Sequence, residues 1–296
     1  MTGATANLTA LAPITRRPLT IAVVARQFPV VSETFVLDHI NGLLDCGHNV
    51  QVLRREIGNL GITHGDYDPA RLGSRITTWI PARNRSARAI NKLKLLPRMP
   101  LRAVPHLITG PMRADLVPLA AKILRLSPQP DLLHAHFGHI GEMLAVLRHH
   151  NVTQIPLVVS VHGFDVNRAL AGSTAGFPHL FLQAACVIVT SAFMQRQTER
   201  LGCAPERIVR IPIGIDVSRF SFAPRQWRAP ATLRLLTVAR LVEQKGIARG
   251  ILATAALIRE GIAAHYTIVG DGPLRADLEQ LARDCGIADF VDFCGA

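Results

Sequence analysis

The chain has 296 residues, 49% of them apolar, and a formal net charge of +12. That length admits two domains and a sizeable core, while the five scattered cysteines (46, 186, 203, 285 and 294) lack any C-x-x-C spacing. A disulfide framework and a structural zinc are therefore not expected, and the composition fits a reducing cytosol. The opening MTGATANLTALAPITRRPLT has no apolar core of a secretory signal, and no stretch approaches the ~20 apolar residues of a membrane span, so a soluble cytoplasmic protein is expected.

In chain order, apolar runs suited to strands buried on both faces occur at 19–25, 50–53, 131–136, 156–161, 186–190 and 207–212. Helical periodicity lies between them at 33–47, 140–150 and 191–202, and Gly47 and Gly202 stand where a left-handed residue would end a helix. Such alternation predicts a doubly wound parallel sheet. Residues 221–230, SFAPRQWRAP, carry two prolines and no periodicity, and read as a linker. A new alternation follows: strands at 233–239, 265–270 and 290–295, helices at 246–261 and 273–286. The expected organisation is a first Rossmann-like domain over 1–220, a linker over 221–230, and a second such domain over 231–296. That last stretch is about half a doubly wound domain of ordinary size, so the second domain is expected to be incomplete, with an unpaired edge and exposed apolar surface.

The charge is concentrated. Between Arg71 and Arg125 there are twelve Lys or Arg residues and one acid, Asp115. Within this block RSARAINKLKLL (85–96) places Arg85, Arg88 and Lys92 along one side of a helix, with Lys94 beside them and Ala89, Ile90, Leu93 and Leu96 on the adjoining side. An anionic membrane surface is the expected partner. A solvated basic face is the plainer alternative. Nucleic acid is not expected, because the block has one aromatic residue, Trp79, and so lacks stacking residues.

Two tandem Rossmann-like units bind ligands at the carboxyl ends of their strands, and the polar motifs fall at such ends. After the first strand, RQFPVVSETF (26–35) has no glycine, so this turn is not a dinucleotide site. Ser32 is placed to cap the following helix, and Glu33 at the mouth has no structural need and is a candidate for touching a polar substrate. HAHFG ends one strand with His134 and His136 on one face, and VHGFD ends the next with His162 and Asp165. A pair of imidazoles is short of the three protein ligands of a catalytic zinc. In the second unit, VARLVEQKG brings Arg240 and Lys245 to a strand-to-helix loop, where two cations and a helix N-terminus suit a diphosphate. VGDGP adds Gly270 and Gly272 at the next strand end.

FPVVSETF, HAHFG, VHGFD, IPIGIDVSRF (211–220), VARLVEQKG and IVGDGPLRADLEQLA together resemble glycosyltransferase family 4, of the GT-B fold, and its exopolysaccharide-biosynthesis branch in particular. The resemblance runs from about residue 20 to the last residue. It implies a retaining transfer of a sugar from a nucleotide diphosphate donor to a glycan or lipid-linked acceptor, without an obligatory metal or other cofactor. Donor binding would belong to the second domain and acceptor binding to the first. His162, with Asp165, matches the H-G-x-D segment near the reacting centre; Arg240 and Lys245, with Gly270 and Gly272, match the donor diphosphate site; Ser32, Glu33, His134 and His136 become acceptor-side cleft residues. A Glu-x7-Glu motif that the family uses to hold the donor is absent from this sequence. The alternatives are a non-catalytic acceptor- or membrane-binding chain, and more remotely a metal-dependent hydrolase using the H-x-H pair. Because lipid-linked acceptors lie at the membrane, a peripheral position at its inner face is expected.

Overall fold

Runs such as IAVVA bury side chains on both sides of the strand, and they can do so only where helices cover both faces of a sheet. The computed structural model describes residues 17–58, 65–81, 85–108, 115–172, 176–224 and 231–296. It divides the chain into two units, Met1–Ile215 and Asp216–Ala296. Of the expected linker, 221–224 are exposed and 225–230 lie outside the described residues.

The first unit runs β1 (Thr20–Phe28), α1 (Thr34–Asp45), β2 (Asn49–Ile57), α2 (Pro69–Leu72), β3 (Ile76–Thr78), α3 (Arg85–Leu95), α4 (Val104–Ile108), α5 (Val117–Ile123), β4 (Leu132–His136), α6 (Gly138–His149), β5 (Leu157–Ser160), α7 (Gly163–Leu170), α8 (Leu180–Gln183), β6 (Cys186–Val189), α9 (Ala192–Arg200) and β7 (Ile208–Arg210). Its seven strands are parallel, in the order β3-β2-β1-β4-β5-β6-β7. The chain moves outward from β1 in one direction and from β4 in the other, so the helices after these two strands cover opposite faces. Accordingly Val36, Leu37 and Ile40 of α1 pack on Ile21, Val23, Val50 and Val52. Ile140, Leu144 and Leu147 of α6 pack with Ala22, Val24, Leu133, Ala135 and Val159 on the other side. Gly141 lets α6 approach the sheet, since a Cβ there would lie 2.6 Å from Val159.

Two details depart from the sequence reading. The segment before α1 is a short 3-10 turn over Val31–Glu33, and neither it nor α1 has a side-chain cap, so Ser32 is an exposed turn residue rather than a helix cap. β3 is an extra edge strand, short and half-buried, too brief for period-two reading. In α3, Ile90 and Leu93 are 52% and 69% exposed, and the buried anchor is Leu95. Leu95 enters the core formed with α5 and Leu96 packs at its edge, while Ile90 and Leu93 of the adjoining side face outward. Lys92 is half-buried and Lys94 exposed; the side chains of Arg85 and Arg88 lie outside the described residues.

The second unit has β8 (Leu233–Val238), α10 (Ile247–Arg259), β9 (Ala264–Val269), α11 (Arg275–Asp284) and β10 (Val291–Gly295), with the parallel order β10-β9-β8. Ile247, Ile251, Leu278 and Ala282 from the two helices pack on Tyr266, Ile268 and Val291. On the opposite face Leu236 and Val238 are 66% and 71% exposed. No helix among the described residues is long and apolar enough to cross a membrane.

Candidate functional site

The switch in strand order between β1 and β4 leaves a crevice at their carboxyl ends, and the sequence motifs of the first unit converge there. On β4 the two-residue period directs His134 and His136 to the α1 side of the sheet, while Leu133 and Ala135 face the opposite core. β5 runs beside β4 in register, pairing His136 with Ser160, and the chain then turns at His162 into α7. Their rings form a stack: His134 and His136 lie 5.0 Å apart with planes 9° from parallel, and His136 and His162 lie 5.8 Å apart at 12°. His39, one turn into α1, closes the group from above, 4.5 Å from the His134 ring and 5.1 Å from that of His136.

These imidazoles line a cavity of about 340 Å³, together with Phe35, Asp38, Ser160, Ile188, Thr190 and residues 211–214. His134 shares a 2.9 Å hydrogen bond with the Ser160 hydroxyl, and His39 Nδ1 lies 3.0 Å from His136 Nε2. His136 Nδ1 and His162 Nε2 are buried without a hydrogen-bond partner among the described residues. Burial disfavours the imidazolium form, pushing His39 and His162 down to about 4 and His134 to about 3, with the neighbouring His39 and His162 adding to the effect at His134. His136 is held well below the usual histidine range by burial first and by the other imidazoles second. At neutral pH the cavity is therefore polar and uncharged at its imidazoles, able to donate and accept hydrogen bonds to hydroxyl groups.

What holds His162 in place is backbone geometry. Its peptide N–H donates to Asp165 Oδ1 at 2.9 Å, and the second oxygen of the same carboxylate accepts from the N–H of Gly138, the first residue of α6. Asp165 thus ties the starts of α6 and α7 together, and the residue is 6% exposed. Burial raises its pKa, against the opposing pull of these backbone donors. It is placed to position His162, and its oxygens are already engaged. Phe137 contributes a second restraint. Its φ of +72° is a strained conformation for a bulky residue, and it brings the ring to 4.6 Å from that of His162. Ser32 and Glu33 line neither this cavity nor the one beyond α7, whereas His39, Ser160 and Thr190, absent from the sequence-based set, do line the first.

The second cavity, about 470 Å³, lies against α6 and the other flank of α7. Arg26, His139 and Arg168 border it among the apolar side chains of Met143, Phe164 and Phe177. Glu142 on its wall is spent internally, accepting from the N–H groups of His179 and Leu180 and from His179 Nδ1.

In the second unit Arg240 and Lys245 are both exposed in the loop joining β8 to α10. Gly270 and Gly272 follow β9 with φ of +145° and +159°. A Cβ at Gly270 would collide with the carbonyl oxygen of Ala239, and one at Gly272 would lie 2.6 Å from that of Leu241. The two glycines thus let the β8 and β9 loops run against each other, with Leu241 donating to Asp271 at 2.9 Å. Gly246, left-handed at φ +65°, is the cap residue from which α10 starts.

The sequence profile of Glycosyltransferase Family 4 matches residues 32–219. The putative colanic acid biosynthesis glycosyltransferase WcaL of Escherichia coli (strain K12) is 30% identical over 282 residues, covering 91% of this chain and 68% of that protein. The amylovoran biosynthesis glycosyltransferase AmsK of Erwinia amylovora is 30% identical over 281 residues, with the same shares of each chain. Among solved structures, Anabaena Alr3699/HepE in complex with UDP aligns at a TM-score of 0.61 and 17% identity, covering 94% of this chain and 69% of that one. The lipopolysaccharide outer core galactosyltransferase WaaB in its apo form aligns at 0.56 and 13%, covering 94% and 68%. The two parallel-sheet units are those of the GT-B fold, and the chain belongs to glycosyltransferase family 4.

Proposed function

We propose that this chain serves exopolysaccharide biosynthesis as a retaining glycosyltransferase, moving a sugar from a nucleoside diphosphate donor to a glycan or lipid-linked acceptor. The observation that carries the reading is the convergence of His134, His136, Ser160 and His162 on one cavity at the switch point of a family 4 sheet. WcaL and AmsK, each aligned over 91% of this chain, are named for colanic acid and amylovoran biosynthesis, and HepE was solved with UDP and with UDP-glucose. Arg240, Lys245 and the start of α10 would receive the donor diphosphate, where charge develops on the leaving oxygen and fixed cations stabilise it most. Under this reading the site asks for no metal at the diphosphate. His162, with an unspent ring nitrogen, would bind the transferred sugar, and Asp165 would hold it there.

The test is saturable, donor-dependent transfer or binding with a panel of sugar nucleotides, and anomeric configuration of any product read by NMR. An inverted product would refute the retaining assignment, and failure of every sugar nucleotide to saturate would refute the donor assignment.

A second reading, a non-catalytic chain held at a membrane, is favoured by α3, where exposed Ile90 and Leu93 accompany Lys94. Each basic residue near an anionic surface contributes about 1 kcal/mol. Sedimentation with anionic vesicles in the absence of any sugar-nucleotide binding would select it. A cytoplasmic, peripheral location is common to both readings.

A further inference from the structure

A hydrogen-bonded network is the ordinary explanation for grouped histidines, and it accounts for part of this one. Ser160 partners His134, and His39 partners His136. It leaves His136, 4% exposed, with Nδ1 buried and unpaired among the described residues. A buried polar group without a partner typically costs about 1–3 kcal/mol, so the cluster is incomplete as a closed network.

Its geometry suits a different completion. One ring nitrogen from each of His39, His134 and His136 can be chosen so that all three lie within 4.8 Å of one another. Nitrogens bound to a tetrahedral ion at bonds of about 2.0–2.1 Å sit about 3.3 Å apart, so the widest spacing allowed in this set exceeds that by about 1.5 Å. The sequence shows two of the three ligands; the third arrives on α1. We propose that His39, His134 and His136 form a site for a first-row divalent metal ion, zinc being the type, with its open coordination position facing the cavity that Asp38, Ser160 and Thr190 line. Three imidazoles select zinc, copper or nickel over magnesium and calcium, which take oxygen ligands. The open position would take water or a hydroxyl oxygen of a sugar in the cavity. All three ligands belong to the first unit, and the proposal does not rest on the donor assignment.

Tag-free protein, stripped with EDTA and dialysed, is titrated with Zn²⁺ against a chromophoric chelator and with Co²⁺ by visible absorption. One equivalent is expected to bind, with a tetrahedral Co²⁺ spectrum. His39→Ala and His136→Ala should each weaken Zn²⁺ by at least about 100-fold, as loss of one of three ligands would. His149→Gln/His150→Gln should leave it unchanged, because those two belong to a separate histidine group with His106 and His179. If the single variants fail to fold, X-ray absorption of the zinc-loaded wild type decides, with three imidazoles expected at about 2.0–2.1 Å. Absence of stoichiometric binding, full affinity in the His39 and His136 variants, loss of binding in the His149/His150 variant, or fewer than three imidazoles around zinc would each overturn the assignment.

Discussion

Removing the Asp165 carboxylate separates a positioning role from direct contact with a ligand. Its oxygens accept the N–H groups of Gly138 and His162, the entries to two helices, at a place where the residue is 6% exposed. A hydrogen bond to a charged acceptor is worth roughly 1.5–3 kcal/mol, and little water can replace it here. Asp165→Ala is therefore expected to lower unfolding free energy by about 3–5 kcal/mol. Asp165→Asn keeps the shape but turns an amide NH₂ toward one of the two donors, and should lose about half as much. Urea unfolding near neutral pH, followed by circular dichroism, measures both, with the histidine ring signals of the folded Asn variant reporting whether His162 has moved. If Asp165→Ala unfolds within about 1 kcal/mol of the wild type, the carboxylate does not hold these helix starts, and the positioning argument fails.

Further outcomes follow from other contacts. Gly138→Ala, whose Cβ would lie 2.5 Å from Phe177 Cζ and 2.8 Å from Asp165 Oδ2, should destabilise by about 1–3 kcal/mol in the same unfolding assay. In an active transferase assay Lys245→Ala should lower turnover more than it weakens donor binding, since its charge matters most as the diphosphate departs; an unchanged turnover with only a raised KM would contradict this. His162→Ala should abolish most transfer while stability moves by less than ~1 kcal/mol; gross unfolding would favour a structural role. Replacing Arg85, Arg88, Lys92 and Lys94 with Ser should release the protein from anionic vesicles, as should high salt, and Ile90→Ser/Leu93→Ser should also weaken binding, because these side chains are exposed rather than core. Co-sedimentation unchanged in both variants would leave α3 a solvated face.

The sheet was legible because strands buried on both faces leave uninterrupted apolar runs, as at 19–25 and 156–161. β3 was not, since three half-buried residues at an edge carry no periodic signal. The anchor of α3 was equally hidden: Leu95 interrupts the polar side of 85–96, and packing against α5 buries it while Leu93 stays exposed. At the site, the period of two put His134 and His136 on one face from sequence alone. Which face, and what covers it, depends on the direction in which the chain leaves β1 and β4. His39 was therefore out of reach, although Val36, Leu37 and Ile40 mark the buried side of α1 on whose flank it lies.

Residues at strand ends serve two demands that share the same residue types, closing the backbone and binding a ligand. Asp165, Gly270 and Gly272 look like ligand contacts in sequence, yet the first spends its oxygens on peptide N–H groups, and the other two make room for neighbouring carbonyls. His162 retains a buried ring nitrogen without a partner among the described residues, and Arg240 and Lys245 stand exposed at the mouth of their loop. Unspent hydrogen-bonding capacity is costly to keep in a buried place, where stability alone would have replaced it with an apolar group. On that physical ground His162 is a stronger candidate for ligand contact than Asp165, although both belong to one four-residue motif. The same reasoning directs attention to His136, whose Nδ1 is equally unpaired, and so to the cavity that the four imidazoles share.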